Sequence, residues 1–347
     1  MGRWLNLPSR SASSCAALFI AGLLATRSAE PCGVLGSREG RRPSLAYEQV
    51  LLVHDPTTEQ EHFIRSVTFR TEDHPFGFVV PTPSRPTVAE VKASPFPALR
   101  EGYPFDPPPP GNRGSGSGYG QLGGGTRVLE ETKVGSFTAF VLAADDDNAL
   151  RKWLADNQLV STTETDAWLS HYVRLGFYYG ALRYEPTSAR AKAAALSGRE
   201  RHFRSETIRI SFKTPLPYYP YLEPQLPVEK ALTERLLDLW VISPSAVVPV
   251  ATREAARERA WIRPMREGQR FDKAGARLAK AVGSEIEGLL PAGELVLQTF
   301  QDQKVSRAGF GDILFVPLEK SGVRARREAL ESLFGLLDPE LVKDTPR

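Results

Sequence analysis

His54 and His62 end two strand-like runs, and the loop between them carries Asp55, Glu59 and Glu61. If that turn folds tightly, the two imidazoles could approach one another and, with a carboxylate such as Asp55 or Glu59, bind a divalent metal. The simpler reading of Asp55-Pro56-Thr57-Thr58-Glu59-Gln60-Glu61 is a solvated turn, because these are turn-forming residue types. A second candidate is the trio Tyr218, Tyr219 and Tyr221 within TPLPYYPY. Their flat rings with hydroxyl handles could form a ligand surface for a sugar or a peptide. Alternatively, the segment is an edge strand that packs its rings on the core.

The familiar catalytic patterns are missing from the chain. It contains no G-x-S-x-G, no S-x-x-K and no H-E-x-x-H, so the common serine-hydrolase elbow and zinc-hydrolase helix are not written locally. A triad assembled from distant residues stays open. Gly118-Tyr119-Gly120-Gln121-Leu122-Gly123 satisfies the G-x-G-x-x-G spacing. That fingerprint needs a strand before it and a helix after it, whereas a Pro/Gly tract precedes it here and the strand-like TRVLEETKV follows. Asp145-Asp146-Asp147-Asn148 lacks the alternation and distal Glu of a calcium loop, and stands where acids cap a helix. No cofactor is expected. His171 and His202 have no legible partners.

The elements that must position these residues follow from periodicity. Tyr47 to Val53 is an apolar strand, and in His62 to Arg70 the residues Phe63, Val67 and Phe69 alternate with Ser66, Thr68 and Arg70. The pair predicts an antiparallel hairpin, with Phe76 to Val80 as the third strand of a meander. Pro81 and Pro83 should end that strand, since proline donates no ladder hydrogen bond. Further strands are expected over Arg127–Lys133, Phe137–Leu142, Phe177–Tyr184, Ile208–Phe212, Leu237–Ile242, Glu294–Phe300 and Asp312–Val316. Helices are expected around Ala149–Leu154, after a Ser161/Glu164 capping box, along a stripe from Phe271 to Leu289, and over Leu330–Leu337. This pattern predicts an α+β fold of mainly antiparallel sheets with helices packed on one side.

Composition bounds the remainder. The chain has 347 residues, 41% hydrophobic and 24% charged, with a net charge of +3. The basic residues are scattered rather than interleaved with stacking aromatics, so no nucleic-acid footprint is written. Arg3 and Arg10 precede the apolar run CAALFIAGLLA and small residues follow at Thr26, Ser28 and Ala29, which reads as a signal peptide over residues 1–29, cleaved after Ser28 or Ala29. Removing it leaves Cys32 as the single cysteine, so no intramolecular disulfide is expected. No later segment is long and apolar enough to span a membrane as a helix. The mature protein should be secreted or periplasmic. Its domain is expected over residues 30–250, with a flexible Pro/Gly loop at 104–125 and a helix-rich extension or subdomain over 251–347.

Three stretches in fixed order carry a resemblance: QVLLVHD, HFIRSVTF and FGFVVPTP within Gln49–Pro83; VLEETKVGSFTAFVLAADDDNALRKWLADN and YVRLGFYYGALRY within Val128–Tyr184; and IRISFKTPLPYYPY at Ile208–Tyr221. Together with Cys32-Gly33, they resemble the bacterial domain-of-unknown-function family 2330 over roughly Cys32 to Ile242. The resemblance implies an exported bacterial protein and brings no catalytic residue or cofactor with it. The expectation is a non-catalytic extracytoplasmic binding module or envelope-associated structural module, with an envelope protein, a peptide or a glycan as partner. The alternative is a secreted hydrolase or metal-dependent enzyme with an unrecognised site.

Overall fold

The computed structural model describes residues 33–37, 43–71, 74–106, 132–134, 136–143, 147–186, 201–224, 235–252, 265–303, 307 and 311–320. In chain order they form β1 (Val34–Ser37), β2 (Ser44–Asp55), β3 (Gln60–Thr71), β4 (Phe76–Thr82), β5 (Thr87–Val91), α1 (Phe96–Gly102), β6 (Thr132–Val134) and β7 (Phe137–Ala143). Next come α2 (Asp147–Asp156), β8 (Leu159–Val160), α3 (Thr163–Arg174), β9 (Tyr178–Tyr184), β10 (Arg201–Arg204), β11 (Thr207–Lys213) and β12 (Tyr218–Tyr219). The rest are β13 (Leu236–Ser243), β14 (Val247–Ala251), β15 (Arg266–Phe271), α4 (Gly275–Val282), α5 (Ser284–Glu287), β16 (Val296–Asp302) and β17 (Ile313–Pro317). Among the described residues no helix is long and apolar enough to cross a membrane.

The fold is sheet-rich. One sheet runs β6-β7-β9-β4-β1-β8, a second runs β15-β16-β13-β2-β3-β11-β5 with β10 also on β3, and a third runs β12-β17-β14. Pairing is antiparallel except between β2 and β13, which run parallel with Leu51 beside Trp240. The expected hairpin is present, with Val53 opposite His62. β10 and β11 pair end to end along β3, and Ser205 patches the gap between them by donating its backbone N–H to the Val67 carbonyl at 2.7 Å and accepting from the Val67 N–H at 2.9 Å.

The sheet containing β2 is buried on both faces. Val50, Leu52 and Phe63 look toward Phe76, Phe78 and Tyr184 of the six-stranded sheet. On the other face, Leu51, Val53, Ile64 and Trp240 pack beneath Phe96 and Leu99 of α1 and Leu278 of α4. A strand buried on both sides reads as a continuous apolar run, as QVLLV and LWVI do. Each fully buried apolar side chain contributes about 1.5–3 kcal/mol.

Several expectations are corrected. β4 is not a third strand of the hairpin but lies between β9 and β1 in the opposite sheet, and Phe69 meets Phe76 ring to ring at 4.8 Å across the interior. Pro81 does not end the strand. It pairs with Tyr179, and the ladder to β1 reaches only Phe78, so proline stands where β4 has one neighbour. The helices are not confined to one side: α1, α4 and α5 cover the outer face of the β2 sheet, while α2 and α3 join the inter-sheet core through Leu154, Trp168 and Tyr172. The cap of α3 is Thr162, whose hydroxyl accepts from the Thr165 N–H at 3.3 Å, rather than Ser161. The stripe from Phe271 is broken: Phe271 ends β15 and Gly283, at φ +80°, separates α4 from α5.

Residues 1–29, the loop motif at 118–123, Asp145 and Asp146, and the Leu330–Leu337 segment lie outside the described residues. The described part of 251–347 supplies β15, β16 and β17 together with α4 and α5. β15 and β16 extend the sheet of β2, and β17 pairs with β12 and β14.

Candidate functional site

The hairpin tip does not gather its candidates. Val53 opposes His62 and His54 opposes Glu61, so the two histidines emerge on opposite faces. His54 is buried, and its Nε2 donates to the Thr214 carbonyl at 2.9 Å. That bond puts a proton on Nε2, and burial holds the pKa below the ordinary histidine value. His62 Nδ1 lies 2.8 Å from Ser211 Oγ. Asp55 folds back on the turn, accepting from the Thr57 N–H at 2.9 Å and the Thr58 hydroxyl at 2.8 Å, and these bonds lower its pKa. Glu59 is exposed in the left-handed region at φ +53°. Among the described residues no group of three His, Cys, Asp or Glu side chains could hold a metal ion.

Tyr218, Tyr219 and Tyr221 have no exposed surface. Their rings therefore form part of the core rather than a ligand surface, and their hydroxyls reach three different carboxylates. Tyr218 donates to Asp312 at 2.9 Å, Tyr219 to Glu48 at 3.0 Å and Tyr221 to Asp302 at 2.9 Å. Asp312 also accepts from the Tyr172 hydroxyl and from the Leu222 N–H, each at 2.9 Å. Burial, and then the neighbouring Asp312, pushes the Tyr218 phenol up, so it stays a proton donor.

Arginines complete the cluster. Arg65 Nε lies 3.0 Å from Glu48 Oε1. Arg307 donates through Nε to Asp302 at 2.9 Å and through Nη1 to the Tyr219 hydroxyl at 3.2 Å, and its guanidinium stacks 4.5 Å from the Tyr221 ring centroid. Arg235 grips Glu223 through both terminal nitrogens. Burial works to lower the Arg307 pKa, and Tyr219, Glu223 and Asp302 around it more than reverse that. Glu61 is also fully buried. Its Oε2 accepts from the Tyr218 N–H at 2.6 Å, its Oε1 has no hydrogen-bond partner, and burial raises its pKa well above the usual carboxylate range. Such a network costs desolvation that offsets most of its Coulomb gain, while breaking one partner leaves a buried charge exposed to no solvent. Glu48, Asp302 and Asp312 each accept from a tyrosine hydroxyl of the 218–221 segment and so tie that segment to distant parts of the chain.

Sequence reasoning placed Glu61 in the hairpin loop rather than in the core, and missed Glu48, Arg65, Asp302, Arg307 and Asp312. For the burial of Glu61 and Arg65 a signal existed. Arg65 and Glu61 fall on the Phe63–Val67 face of β3, where a charged residue in an apolar alternation marks a buried partner.

Fold and cluster together define a class: stacked antiparallel sheets locked by an enclosed tyrosine–carboxylate–arginine core. Residues 27–222 match the family described as "Uncharacterized protein conserved in bacteria (DUF2330)", more than half of the chain, and the protein belongs to that family. No curated protein matches. Among solved structures the chain is similar to that titled "Crystal structure of baculovirus P35", with 8% identity and a TM-score of 0.37 over 80% of this chain and 92% of that one. A likeness that faint carries no argument about function.

Proposed function

We propose that this protein is an exported, non-catalytic bacterial module that binds or braces a component outside the cytoplasm. The observation that carries the reading is the enclosed cluster. Tyr218, Tyr219 and Tyr221 bind Asp312, Glu48 and Asp302 inside the core, so these ionisable groups bind one another and serve to hold the fold. The leader-like N-terminus supports export. A domain with one cysteine after that leader must keep its shape outside the cell through packing and buried polar bonds, without disulfides.

Expression of the full chain in a bacterial host, followed by fractionation and N-terminal mass determination, tests this. The expected product is in the extracytoplasmic fraction and begins at Ala29 or Glu30. Full-length protein retained in the cytoplasm overturns the reading.

A further inference from the structure

The outer face of the β2 sheet changes character halfway along its strands. Trp240, Leu51 and Ile64 lie under the helices, while the next residues on the same face are Asp238, Gln49 and Ser66. Register places them in one row: Arg266 beside Gln301, Gln301 beside Asp238, Asp238 beside Gln49, and Gln49 beside Ser66. Asp238, Gln49 and Ser66 are buried, and arginines reach over this row.

Each of three arginines is held from beneath. Arg204 donates to Gln49 Oε1 at 2.6 Å and to Ser66 Oγ at 3.4 Å. Arg100 stacks over the Tyr47 ring at 5.5 Å and lies 3.7 Å from Asp238. Arg266 donates to Gln301 at 2.9 Å and to Asp106 at 2.8 Å. Arg204 is exposed, and Arg100 and Arg266 are 53% and 59% exposed. Asp238 is itself engaged by the Tyr47 hydroxyl at 2.5 Å and by Gln301 at 2.7 Å. The acceptors under Arg204 are neutral, so they fix its position without cancelling its charge. Guanidinium groups ordered in advance lose less entropy when they meet an anion.

We infer that this row of arginines is a docking surface for an extended carboxylate-bearing polysaccharide. The guanidinium of Arg204 bonds Gln49 on β2 and that of Arg266 bonds Gln301 on β16, two strand spacings or roughly 10 Å apart, with Arg100 over Asp238 on β13 between them, so a ligand that meets all three must carry several charges along an extended chain. The apolar half of the face is sealed by helices, so the pockets that peptide side chains fill are closed. Three arginines against Asp106 and Asp238 leave the surface net positive, which complements carboxylates. The inference deepens the export reading by naming the partner class and rests on it for the partner's location.

The test is binding of the purified mature chain to polygalacturonate, with neutral dextran, polyphosphate and polyglutamate as comparison ligands. Polygalacturonate is expected to bind preferentially, and the triple variant R100Q/R204Q/R266Q to bind about tenfold more weakly. The distant pair K152Q/K273Q should leave affinity unchanged. If the triple variant fails to fold, Arg100→Gln alone should weaken binding about threefold. The inference is overturned by no binding to polygalacturonate, by equal losses in the lysine pair, or by equal affinity for polyphosphate or polyglutamate. Binding in vitro does not depend on compartment, so failure here leaves the export test standing, and the reverse holds.

Discussion

His62 shows how much one residue's surroundings decide. Burial, and then the charge of Arg209, bring its pKa down from 6.5 to about 4. A pKa depressed in the folded state means that the unfolded chain binds the proton first as pH falls. The stability it contributes is therefore complete above about pH 6.5 and lost between pH 6.5 and 4. His54, also lowered by burial, acts in the same direction. Melting temperatures recorded from pH 7 to 4 should fall in the native protein and fall less steeply in His62→Gln; parallel curves would show that the histidine is not responsible. The two histidines were legible as a pair and their separation was not. Side chains alternate along a strand, so the register Val53 to His62 sends them to opposite faces, and a slip of one residue would have brought them together.

Among the elements, β15 carries a strict steric demand that no residue pattern announces. Its pairing with β16 shifts between Glu267 and Arg270, and a Cβ on Gly268 would meet both the Phe105 carbonyl oxygen and Thr299 Oγ1 at 2.5 Å. Gly268→Ala should therefore cost about 1–3 kcal/mol in chemical denaturation with an unchanged denaturant slope. An unchanged midpoint would mean that the chain beside Phe105 yields freely. The 214–222 segment teaches a related lesson. Its prolines marked it as extended and its tyrosines as edge or surface, and β12 is an edge strand of the third sheet. Its burial depends on acids far away in the chain, which no local window contains.

For the whole molecule, the consequence concerns where the folding unit ends. The family match stops at residue 222, yet Asp302 and Asp312, which accept from Tyr221 and Tyr218, lie beyond it. β13 pairs along its length with β16, from Leu237 opposite Asp302 to Ser243 opposite Val296. A chain ending at Thr252 would lose β15, β16 and β17, uncover Trp240 and Leu239, and remove the carboxylates that accept from three buried phenols, Tyr172, Tyr218 and Tyr221. That fragment should show no cooperative thermal transition and should bind a hydrophobic dye, whereas the full chain melts cooperatively. A sharp transition in the fragment would make the later residues a separate unit.

By itself the sequence determined most of the longer strands, the hairpin and the predominance of antiparallel pairing, because alternation acts within a few residues, while short strands such as β1, β5 and β8 carried no such signal. It also carried the family resemblance and the leader-like start. Only the tertiary structure decided that Phe76–Thr82 joins the opposite sheet, that the tyrosines lie inside, and that Glu48, Arg65, Asp302, Arg307 and Asp312 form one buried cluster. These outcomes depend on contacts between residues far apart in the chain, such as the Tyr219 hydroxyl on Glu48, 171 positions away, and desolvation rewards or penalises such groups only once both partners are buried together.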